Sequence, residues 1–177
     1  MKQSIFSMRS TRYFFLLAVV VMAGMTLSSC SKDDDDMKQN TLVLDEHEMN
    51  LTEAKYESHS DGKDIELQLY TANGSLVTIC FNKAMHVDKL IPLNQKEAKQ
   101  NQGWYWSIGY NTQQGSFLNA FGDPDPDYPT FDEGTLLITN FTSDHIKVML
   151  KNGKVKGSDD KMYTLNLHYE GKIKLIE

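Results

Sequence analysis

From residue 41 to residue 175, apolar and polar residues repeatedly change places one position at a time. Ile65, Leu67 and Leu69 alternate with Glu66, Gln68 and Tyr70, and Val77, Ile79 and Phe81 with Thr78 and Cys80. Ile146, Val148 and Leu150 alternate with Lys147 and Met149. Tyr163, Leu165, Leu167 and Tyr169 alternate with Thr164, Asn166 and His168, and Ile173 and Leu175 with Lys172 and Lys174. A period of two puts successive side chains on opposite faces of an extended strand, one buried and one wet. No segment after Asp36 sustains the 3.6-residue period of an amphipathic helix. Residues 41–45, 49–57, 104–110 and 134–141 complete the set of expected strands. Short strands punctuated by turn residues predict an all-β domain: an antiparallel β-sandwich, with an up-and-down barrel as the alternative.

The turns must agree with the faces. A two-residue loop at Asn73-Gly74 would set Tyr70 opposite Val77 and bring polar residues onto the apolar face. A three-residue loop, Ala72-Asn73-Gly74, instead pairs Leu69 with Val77, Leu67 with Ile79 and Ile65 with Phe81. That loop needs a positive φ at Gly74. At Asn152-Gly153 a two-residue hairpin satisfies the faces directly by pairing Leu150 with Val155. Residues 94–102 are polar, carry no apolar stripe, and are expected to form an exposed insertion. The run Asp123 to Pro129 holds three prolines, each lacking a strand donor, and reads as a surface loop.

The 177 residues include 18 Lys+Arg against 24 Asp+Glu, a formal charge of −6. That balance disfavours nucleic acid, which is bound through Lys and Arg. Lys2, Arg9 and Arg12 precede the apolar run Tyr13 to Leu27, the order and length of a secretory signal and short for a membrane span. The next residues, Leu27-Ser28-Ser29-Cys30, resemble the lipobox of bacterial lipoproteins. The resemblance implies cleavage before Cys30, diacylglycerol on its sulfur and a fatty acyl chain such as palmitate on the new amine. Outer-membrane lipid is then the first expected partner. Asp33 to Asp36 repel one another and read as a solvated tether. Directly after the lipobox, they also resemble the acidic export signal of Bacteroidetes-type surface lipoproteins. This implies an outer-membrane protein facing the cell exterior, with the periplasmic side as alternative. The expected division is a signal peptide at 1–29, a lipidated acidic tether at 30–40 and one all-β domain at 41–177. With Cys30 acylated, Cys80 has no partner for an intramolecular disulfide.

Two groups of residues invite chemistry. Asp123, Asp125 and Asp127 have the D-x-D-x-D spacing that opens a Ca²⁺ loop, where hard carboxylate oxygens suit that ion. Tyr128 stands where the sharp turn needs Gly, and Gly134 where the closing Glu belongs, so only weak Ca²⁺ binding is expected there and no dedicated metal site. Trp104, Tyr105 and Trp106 are flat aromatic surfaces of the kind on which the apolar faces of sugars stack. Trp104 and Trp106 share the parity of Ile108 and Tyr110, which points them to the core and leaves Tyr105 as the more exposed candidate. None of His47, His59, His86, His145 and His168 has another histidine three or four residues away. No nucleophile elbow or phosphate-binding glycine loop occurs in the sequence. Cys80 has no cationic sequence neighbour to activate its thiol.

Gly134-Thr135-Leu136-Leu137-Ile138, Ile146 to Leu150, and Tyr163 to Ile173 resemble the closing strands of small β-sandwich lipoproteins of Bacteroidetes-type cell surfaces. The resemblance spans residues 41–177 and implies no activity and no site residue. The expected function is a lipid-anchored cell-surface binding or structural module, for glycan capture or adhesion, with a glycan or protein partner, no cofactor and no catalysis. The first alternative is a calycin-like barrel around a small apolar ligand. The second is a surface polysaccharide hydrolase, which needs two carboxylates about 5–10 Å apart.

Overall fold

The alternating segments become strands in the computed structural model, which describes residues 37–99 and 104–176. The signal segment, Cys30 and the four aspartates lie outside the described residues. The strands are β1 Thr41–Leu44, β2 His47–His59, β3 Asp64–Thr71, β4 Leu76–Asn82, β5 Leu90–Pro92 and β6 Ser107–Thr112. Then follow β7 Gly115–Phe121, β8 Glu133–Thr139, β9 His145–Lys156, β10 Met162–Lys172 and β11 Lys174–Leu175. One helical turn, α1 (Lys83–His86), follows β4. The Asn82 side chain starts it by accepting the N–H groups of Ala84 (3.0 Å) and Met85 (3.2 Å).

The hydrogen-bonded order is β5-β8-β9-β10-β1-β2-β3-β4-β6-β7, and β11 runs parallel to β2 off this path. The fold is all-β and, along the main path, antiparallel, as expected. It is a curled half-barrel rather than two separate sheets, because the 13-residue β2 belongs to both halves. Its first residues pair with β1 and its later ones with β3, and an irregularity between Leu51 and Glu53 re-aims it midway. The two halves close over one core. Leu42, Leu136, Ile138, Val148, Leu150 and Leu167 come from one half, and Ile65, Leu67, Leu69, Ile79, Phe81 and Ile108 from the other. Ring contacts tie them: Phe81 with Phe141 at 5.7 Å, Phe117 with Tyr163 at 4.9 Å. At the open side, Leu118 bridges to Gly157, and Ser158 N–H donates to Phe117 O at 2.9 Å. Side chains fill the interior, as in a sandwich core, where a calycin-like barrel would hold a ligand.

The first hairpin has the register demanded by the faces. Ile65 opposes Phe81, Leu67 opposes Ile79 and Leu69 opposes Val77. Thr71 N–H donates to Ser75 O across the three-residue loop, and Gly74 has φ 81°. The second expected hairpin does not exist. Asn152 and Gly153 lie inside β9, which continues to Lys156. Lys151 and Asn152 together oppose the single residue Asn166, which makes a bulge. The chain reverses later, where Gly157 N–H donates to Lys161 O at 2.8 Å. The strand expected at 104–110 begins at Ser107, and β5 and β7 had no clear alternation to announce them.

Candidate ligand-binding cleft

Outward-facing residues of five strands line up across the sheet. Glu57 on β2 opposes Glu66 on β3; Glu66 opposes Cys80 on β4. Cys80 opposes Ser107 on β6, and Ser107 opposes Phe121 on β7. The β6–β7 end of this row opens into a cleft of about 270 Å³. Its lining is Cys80, Trp104, Tyr105, Trp106, Ser107, Phe121, Asp123 and Tyr128. The segment before β6 and the loop after β7 form its walls. The three aromatic candidates and Asp123 therefore converge, although the two motifs looked unrelated in the sequence.

The candidates differ in exposure. Trp106 is fully buried at 0%, as its parity predicts, and its ring lies 6.4 Å from Phe131. Trp104 is half-buried despite the same parity, because the chain there has not yet entered the strand. Its ring sits 5.7 Å from His59. Tyr105 is likewise half-buried. Tyr128 is 46% exposed and packs its ring 5.1 Å from Phe121. Phe121 and Tyr128 were missed in the sequence, since one sits in an unannounced strand and the other among prolines.

The aspartates are engaged with their own loop. Asp123 accepts the N–H of Asp125 at 2.8 Å, and Asp125 accepts that of Asp127 at 2.9 Å. These carboxylates brace their own backbone in successive turns. Lys96 donates to the carbonyls of Asp125 (3.2 Å) and Tyr128 (2.5 Å) and so clamps the loop. Its neighbour Glu97 corrects the expectation of a wholly exposed insertion. Glu97 N–H donates to Gly122 O at 2.7 Å, and Glu97 Oε2 accepts Trp106 N–H at 3.2 Å. Its Oε1 lies 2.6 Å from Nε2 of buried His86.

That His–carboxylate pair has the form of a catalytic dyad and borders a second cleft, of about 250 Å³, but both nitrogens of its imidazole are already engaged. His86 Nδ1 accepts Asn82 N–H at 2.8 Å, so the proton is on Nε2 and points at Glu97. Neither ring nitrogen is left for a substrate, and the pair works as a clasp between α1 and the cleft wall. The Cys80 thiol is also quiet. Burial pushes its pKa up, a hydrogen bond with Ser107 opposes this, and the Glu66 charge raises it further. A thiol held protonated is a poor nucleophile.

Comparison with known proteins found no matching family, no matching curated protein and no matching solved structure.

Proposed function

We propose that this protein is a surface-displayed carbohydrate-binding module, held to outer-membrane lipid through acylated Cys30 and reaching ligand through the cleft beside β6 and β7. One observation carries the reading: Trp104, Tyr105, Phe121 and Tyr128 meet in a single cleft with the Asp123 carboxylate and Ser107 hydroxyl. Aromatic rings offer apolar faces to the C–H side of a sugar ring, while a carboxylate and a hydroxyl engage its hydroxyls. The volume of about 270 Å³ lies just below the roughly 300–1,000 Å³ of drug-sized pockets, which suits one sugar unit at a time. Among the described residues lining the cleft Asp123 is the one carboxylate, which favours binding over two-carboxylate hydrolysis there. The filled interior likewise favours this reading over an apolar ligand inside a barrel.

A glycan array probed with the full chain tests the proposal. Specific binding is expected, with Tyr128→Ala weakening the best glycan about fivefold, the equivalent of roughly 1 kcal/mol of ring contact. Asp123→Asn should weaken it as well. An array on which nothing binds, or equal affinity in both variants, would overturn the reading. The anchor is tested separately: Cys30→Ala should abolish detergent partitioning.

A further inference from the structure

We propose that Glu57, His59 and Glu66 form a binding site for a divalent transition-metal ion of the Zn²⁺ class, at the β2–β3 end of the row that leads to the cleft. The three side chains each bring a ligand atom to within 4.8 Å of the other two. No sequence motif announces this. Glu57 and His59 are two residues apart, a spacing that shares a face only on a strand. Glu66 joins them because the β2–β3 register sets it directly opposite Glu57.

The backbone brings the ligands together on strands, where position is well defined. Around an ion with bonds of about 2.0–2.2 Å, tetrahedral ligands lie about 3.4 Å apart. His59 Nε2 and Glu57 Oε2 already stand at 3.8 Å. Small side-chain rotations close the remainder.

Electrostatics asks for a cation at this point. Two carboxylates directly opposite on adjacent strands repel each other. Lys55, on the same face of β2, is engaged by Glu53 at 3.0 Å and lies over the Tyr70 ring at 5.0 Å. A bound ion would neutralise the Glu57–Glu66 pair. The ligands are also braced from behind. Gln68 Nε2 donates to Glu66 Oε1 at 3.0 Å, and Tyr70 OH donates to Gln68 Oε1 at 2.7 Å. His59 packs its ring against Trp104. Such outer contacts orient ligands and raise affinity.

The donor set selects the metal. One imidazole with two carboxylates suits Zn²⁺ and its neighbours, whereas Ca²⁺ and Mg²⁺ take oxygen ligands. Three protein ligands leave a fourth position for water or an oxygen of a ligand. The inference stands independently of sugar binding in the cleft.

Titration calorimetry of the full chain with zinc chloride tests it, with far-UV circular dichroism on every variant. One saturable equivalent per chain is expected, unaffected by excess Ca²⁺. His59→Asn and Glu66→Gln should each weaken it by at least about tenfold. If either variant lost its β spectrum, Glu57→Gln, which keeps size and hydrogen bonding, would replace it under the same expectation. Absence of saturable binding overturns the site. So does zinc binding that persists in the variants, since they retain Asp33 to Asp36 and every other carboxylate outside the trio.

Discussion

Asn73-Gly74 and Asn152-Gly153 are the same dipeptide at two places, and only the first turns the chain around. At the first, the glycine is the left-handed residue, with φ 81°. Asn73 Oδ1 accepts the Ser75 N–H at 3.1 Å and the Thr71 hydroxyl at 2.6 Å, closing the loop on itself. At the second, the asparagine is left-handed, with φ 53°, and its N–H donates to Asn166 Oδ1 at 2.7 Å on the neighbouring strand. The glycine there serves close packing. A Cβ on Gly153 would stand 2.8 Å from Leu150 Cδ2 and 2.9 Å from Phe131 Cε1. The strand containing it is paired on both sides, by β8 and β10. Asn-Gly thus encodes a left-handed residue, and the partners on either side decide whether that residue makes a turn or a bulge.

Substitutions at the two sites should separate these roles. The largest effect is expected from Gly153→Ala, about 2 kcal/mol of lost stability through overpacking against Leu150 and Phe131, read from the urea midpoint at constant slope. Gly74→Ala should cost less, about 1 kcal/mol, because the penalty there is left-handed backbone and its nearest neighbour is the flexible Gln113 side chain. If Gly74→Ala proved the costlier change, the distinction between a packing glycine and a turn glycine would collapse. The smallest effect belongs to Asn152→Gly, within about 0.5 kcal/mol, since glycine adopts the same φ and loses little at an exposed position. A large loss there would mean that the Asn152 side chain, and not its backbone, holds the bulge.

The first hairpin was legible because both of its strands alternate cleanly, so one register alone hides every apolar side chain. The second dipeptide misled because the two-residue loop also satisfied the faces. Nothing local reported that a longer β9 would be flanked on both sides. The site was legible only in part. Trp104, Tyr105, Trp106 and Asp123 could be singled out by residue type, but not placed together. Glu97 stayed hidden in a polar stretch whose other described members are mostly exposed, and it turns inward to meet His86 and the Trp106 backbone.

What the sequence by itself determined is the strand character of the chain, the inward and outward parity of its clean segments, and the register across Gly74. These depend on neighbours within a few residues, and burial of one face punishes any one-residue slip. Only the tertiary structure decided that β2 is shared between two halves, and that Glu57, Glu66, Cys80, Ser107 and Phe121 form one row ending at an aromatic cleft. Outward-facing residues carry no burial signal to fix their partners. Their juxtaposition is inherited from hydrogen-bonded pairing driven by the opposite, buried face, across strands separated by as much as 64 residues from Glu57 to Phe121.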